Sequence, residues 1–64
     1  MREYYGFLIL FNGTECSKTH LLRHHTQEEI DACLELGYII QTRKQADGEP
    51  VYGITQAGKN YRDN

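Results

Sequence analysis

Apolar positions fall into four blocks along the chain, separated by polar stretches. In the first, residues 2–11, Tyr4, Tyr5, Phe7, Leu8, Ile9, Leu10 and Phe11 follow one another with almost no polar break. Periodicity alone does not separate a buried helix from a buried strand in such a run. Its length and the Asn12-Gly13 that follows favour a helix closed by a glycine cap. The strand reading would use Asn12-Gly13 as a hairpin turn. A helix apolar nearly all round needs cover on more than one side. The pattern therefore predicts a second subunit or another partner against Tyr4, Tyr5, Phe7 and Phe11. A plainer alternative makes Tyr4 core and Tyr5 exposed.

Residues 14–25 read as a second helix, with Thr14 or Ser17 as its cap. Leu21 and Leu22 are expected to face inward, and Lys18, Arg23, His24 and His25 to mark the solvent side. Residues 26–37 carry the clearest helix signature. Thr26 and Glu29 form a capping box, Ile30, Cys33, Leu34 and Leu36 make an apolar stripe, and Gly37 ends the helix. In residues 38–64 the period changes. Residues 38–44 are rich in β-formers, Asp47-Gly48 is a strong hairpin turn signal, and residues 51–54 return as a second strand behind Pro50. Thr55 then caps a short helix over residues 56–63. Tyr38 and Tyr52 are expected in or beside the core, with Tyr61 pinning the last helix.

Length sets a limit on this layout. At 64 residues the chain is one domain, spanning residues 1–64. A single core of that size supplies only about 3–5 kcal/mol, which strengthens the expectation of a homodimer joined through the N-terminal helix. Composition is that of a globular chain, 39% hydrophobic and 25% charged. The run Phe7–Phe11 is too short for a signal core or a membrane span, so a cytoplasmic protein with no membrane partner is expected. In that compartment Cys16 and Cys33 are expected as reduced thiols, Cys33 in the core.

Two stretches resemble a known family. Leu34-Glu35-Leu36-Gly37-Tyr38-Ile39 resembles the L-x-x-G-Y/L-I end of the recognition helix in winged-helix transcription regulators. Val51-Tyr52-Gly53-Ile54-Thr55-Gln56-Ala57-Gly58-Lys59 resembles the Y-x-I-T-x-x-G that closes the wing of the same regulators. Together they cover the last half of the chain, while the first half matches in helix layout only. The resemblance implies an α+β fold, a small winged helix: a three-helix unit, a two-stranded β-hairpin wing and a short C-terminal helix. It implies function less narrowly, because winged helices serve both DNA and protein partners.

The leading expectation is a small DNA-binding regulator. By resemblance, residues 26–36 would enter the major groove and residues 43–49 would form the wing. Lys18, Arg23, Arg43 and Lys44 would anchor phosphates, and Gln27 would reach an adenine edge through its amide. The charge pattern works against this. Net charge is −2, and the exposed positions of residues 26–36 offer Gln27, Glu28, Asp31 and Glu35. Carboxylates oppose the phosphate contacts that supply most of the affinity. The alternative is a protein-protein interaction module of the same shape, contacting its partner through the acidic helix or the aromatic N-terminus.

Other chemistry is thinly supported. Cys16, His20 and His24 are spaced to line one helix face, and neighbouring pairs have the reach to chelate zinc. The face drifts over two turns, however, and no C-x-x-C pair accompanies it, so no metal and no cofactor are expected. Cys16 with His20 is the one nucleophile–base pair in sight, without an oxyanion loop or a third orienting group. Gly48, Gly53 and Gly58 do not form a phosphate-binding pattern. A binding module, not an enzyme, is the expectation.

Overall fold

Seven elements order the chain in the computed structural model, which describes residues 3–11 and 15–63. They are α1 (Tyr5–Leu8), β1 (Cys16–Ser17), α2 (Lys18–Leu22), α3 (Gln27–Glu35), β2 (Ile39–Lys44), β3 (Pro50–Ile54) and α4 (Gln56–Asp63). The result is an α+β fold with four helices and one antiparallel sheet, ordered β1-β3-β2.

Local chemistry accounts for most element ends. The Thr26 hydroxyl accepts from the Glu29 N–H, and the Glu29 carboxylate accepts from the Thr26 N–H, closing the capping box of α3. A cap of this kind contributes about 1 kcal/mol. At the other end Gly37 takes φ +78°. The Tyr38 N–H then donates to the Cys33 carbonyl at 2.9 Å and the Gly37 N–H to the Leu34 carbonyl at 3.2 Å, the paired bonds of a Schellman stop. Gly48 at φ +88° turns the hairpin, and the Asp47 carboxylate accepts from the Glu49 N–H at 2.9 Å.

The N-terminal segment is helical, as its length suggested, but α1 is a single turn extended by i→i+3 bonds from Leu10 and Phe11. The expected stop at residues 12–13 and the expected cap at residue 14 lie outside the described residues. Residues 14–25 are not one helix. Ser17 caps α2 by accepting from the His20 N–H, and a cap residue must be extended, here φ −76° and ψ 158°. The chain is therefore already strand-like at Cys16–Ser17, which pairs with Tyr52 and Val51 of β3.

Phe7, Leu8, Phe11, Leu21, Ile30, Cys33, Ile39 and Tyr52 form the core together with Cys16. The expectation that α1 needs a second subunit for cover loses its premise here. Phe7 and Phe11 are buried by this chain itself, and α4 lies against α1. The Tyr61 hydroxyl accepts from the Tyr4 N–H at 3.1 Å, and Arg62 donates to the Phe11 carbonyl at 3.3 Å. Tyr4, Tyr38 and Tyr61 pack as a cluster of tilted and edge-on rings, with Tyr38 and Tyr61 centroids 4.7 Å apart. Phe7 and Phe11 thus cannot serve as an interface, Tyr4 packs against the core, and Tyr5 is exposed. Three more leucines depart from the periodic reading: Leu22, Leu34 and Leu36 are exposed.

The two family-like stretches touch each other. Thr55 donates through its N–H to the Tyr38 carbonyl at 2.9 Å and through its hydroxyl to the Gly37 carbonyl at 2.5 Å. The same hydroxyl accepts from the Gly58 N–H, capping α4. The I-T-x-x-G motif is therefore the clasp that holds α4 on the corner between α3 and β2.

Candidate functional site

The residues expected to bind DNA sit on three elements. Lys18 opens α2 and is half-buried; Arg23 follows α2 and is exposed. Arg43 and Lys44 end β2, both exposed. Gln27 opens α3, exposed. The wing does approach α2. The Glu49 carboxylate accepts from the Thr19 N–H at 3.1 Å and from the Thr19 hydroxyl. Lys44 pairs with Pro50, next to Glu49, so this contact brings the start of α2 to the base of the wing.

Two of the five groups are engaged within the chain. The Arg43 Nε donates to the Glu15 carboxylate at 3.0 Å, and the Thr42 hydroxyl donates to the other Glu15 oxygen. The Thr42 hydrogen bond, with the Arg43 guanidinium beside it, holds the Glu15 carboxyl below the usual range. The Gln27 amide donates to Asp31 one turn along, at 2.9 Å. Among the described residues, Lys18, Arg23 and Lys44 make no ion pair.

The opposite charge gathers on α3. Its sequence carries Glu28, Glu29, Asp31 and Glu35 and no Lys or Arg, and no Lys or Arg occurs anywhere between Arg23 and Arg43. Glu29 is committed to the α2–α3 corner, where it meets the Thr26 N–H and His25 Nδ1 at 3.1 Å. Glu28, Asp31 and Glu35 are exposed, with no cationic partner among the described residues. Leu34 at 36% exposure and Leu36 at 52% are also exposed at the C-terminal end of α3, as is Ile40 on β2 at 56%. Strand alternation explains Ile40: Ile39 faces the core, so its neighbour faces out. Ile40 lies opposite Gly53, which has no side chain to cover it. That alternation is a signal the sequence held.

No family model, curated protein or solved structure matches the chain.

A cavity of about 360 Å³ opens between the hairpin and α2, lined in part by Glu15, Cys16, His20 and Arg43. The Glu15–Arg43 pair on its wall leaves those two charges satisfied by each other. Cys16 and His20 do line this cavity, but not as the helical row expected, because Cys16 belongs to β1. The Cys16 thiol donates to the Leu10 carbonyl at 3.2 Å, and burial pushes its pKa up. His20 and His24 face each other edge-on, centroids 5.9 Å apart. No cluster of metal-binding side chains is present among the described residues.

Cys33 is fully buried, and that burial, with the Glu29 charge adding to it, pushes its thiol up to about 12. Thiolate is the reactive form. Both thiols are therefore expected to resist iodoacetamide at neutral pH in the native protein and to react once urea unfolds it. Mass spectrometry of the quenched reaction reads this directly. Native-state alkylation of Cys16 at the rate of a free thiol would contradict its placement in β1. No helix among the described residues is long and apolar enough to cross a membrane.

Proposed function

We propose that this chain is a winged-helix-type module that binds a protein partner and does not read duplex DNA. The element order α1-β1-α2-α3-β2-β3, with a hairpin docked on α2, supports the winged-helix reading. The observation that carries the functional half is the charge of α3. The helix that would lie in the major groove has four carboxylates and no cation. Phosphate neutralisation supplies the sequence-independent affinity of such complexes, and each carboxylate brought to the groove opposes it. Two other contributors to a DNA footprint are engaged as well: Arg43 by Glu15, and the Gln27 amide by Asp31.

The test is a fluorescence-anisotropy titration with mixed-sequence duplex DNA at low salt. No binding is expected up to about 100 μM protein, the usual range of non-specific affinity. Binding that appears at low salt and falls by orders of magnitude as salt rises would overturn the proposal. It would return Lys18, Arg23 and Lys44 to the role of phosphate anchors.

A further inference from the structure

We propose that His20 and His24 form a two-ligand site for a divalent transition-metal ion such as Zn2+, its remaining coordination positions open to an outside donor. The site goes beyond the protein-binding reading and does not depend on it.

The backbone sets the pair one helical turn apart. His20 lies in α2, and the coil continues past the end of that helix: Arg23 is still right-handed, the His24 N–H donates to the Leu21 carbonyl at 3.2 Å, and the His25 N–H to the same carbonyl at 2.9 Å. Residues four apart on such a coil share a face, the spacing at which two histidines on one helix bind zinc. The rings do meet. Their centroids are 5.9 Å apart with the planes at 69°. A Zn–N bond is about 2.1 Å long, so one ion fits between two rings at this separation.

Both imidazoles are free to bind. His20 and His24 are exposed, and neither ring makes a hydrogen bond or ion pair among the described residues. Exposed side chains change rotamer within nanoseconds, so the nitrogens can turn toward a shared ion. The third histidine is excluded: His25 Nδ1 meets Glu29 at 3.1 Å and its ring packs edge-on against Phe7. Two other nearby donors are committed as well, Cys16 to the Leu10 carbonyl and Glu15 to Thr42 and Arg43. Among the described residues no third His, Cys, Asp or Glu completes a larger cluster around the pair.

The donor set selects the ion. Imidazole suits zinc, copper and nickel, whereas calcium and magnesium take oxygen ligands. Structural zinc has four protein ligands and catalytic zinc three. With two, the ion here keeps positions for water or for a carboxylate, imidazole or thiolate from another molecule. Exposure also lets water and salt screen the ion from the charges of Lys18 and Arg23.

The test titrates Zn2+ into the isotope-labelled full chain and follows the imidazole NMR signals. The His20 and His24 signals are expected to move together and saturate, with His25 and the α3 carboxylates little changed and Ca2+ without effect. His24→Ala alters an exposed side chain and is expected to weaken binding roughly 100-fold, the gain that joining two ligands supplies, at an unchanged melting temperature. Combining His24→Ala with Leu22→His keeps three histidines but moves one off the shared face, and is expected to lose binding equally. No imidazole shift up to about 1 mM Zn2+ overturns the site. So does undiminished binding by either variant, or an equal response to Ca2+, which would assign the shifts to carboxylates.

Discussion

Phe7→Ala is expected to leave the chain without a stable fold at room temperature. Phe7 is 1% exposed, its ring centroid 5.7 Å from that of Phe11 and 5.3 Å from that of His25. Truncating a buried phenylalanine costs about 3–5 kcal/mol through lost transfer energy and the cavity left behind. A single core of this length supplies about the same amount, about 3–5 kcal/mol. The two magnitudes match, so the variant has no reserve. Circular dichroism and amide NMR dispersion check the result, with Ile9→Ala as the companion. Ile9 lies two residues on and is 45% exposed, so its loss is expected to be a small fraction of the Phe7 effect. A folded Phe7→Ala with an ordinary urea midpoint would show that α1 does not carry the core. It would also reopen the possibility that a second subunit supplies the missing cover.

Gly58→Ala is expected to destabilise, against the usual preference of helices. In an exposed helix interior the change from glycine to alanine gains about 0.5–1 kcal/mol. At Gly58 the new Cβ would stand 2.2 Å from the Tyr38 carbonyl oxygen and 2.7 Å from Ile54 Cγ1. The carbonyl cannot retreat cheaply, because it accepts the Thr55 N–H that seats α4. Overpacking of this kind costs about 1–3 kcal/mol, more than propensity returns. Urea unfolding of Gly58→Ala beside Ala57→Gly separates the two effects. Ala57 is exposed on the same helix, and its glycine variant is expected to lose about 1 kcal/mol by propensity alone. A Gly58→Ala variant more stable than the parent would mean that α4 does not pack on the Tyr38 corner.

The candidate site was partly legible in the chain. The acidity of α3 is plain in Glu28, Glu29, Asp31 and Glu35, and it already opposed the DNA reading. What the residues did not show is which apolar side chains would be left outside. Leu34 and Leu36 fit a helical stripe on paper, but Ile30 and Cys33 alone fill the contact with the core. Nor could the sequence show that Arg43 is held by Glu15, 28 positions away, or that Glu49 would hold the wing to Thr19 across 30.

The division follows the range of the forces. By itself the sequence determined the capping box at Thr26, the left-handed stop at Gly37, the turn at Gly48 and the Thr55 start of α4. Each is closed by hydrogen bonds or a backbone angle within a few residues, and no distant group is needed to form it. Tertiary structure alone decided that Cys16–Ser17 becomes a strand, since a two-residue strand exists only by pairing with Tyr52 and Val51. It also decided that α4 would lie against α1, that Phe7 and Phe11 would be buried, and that Leu34, Leu36 and Ile40 would remain outside. Those outcomes depend on which surfaces meet once the chain closes on itself. A small core has room for only some of its apolar residues.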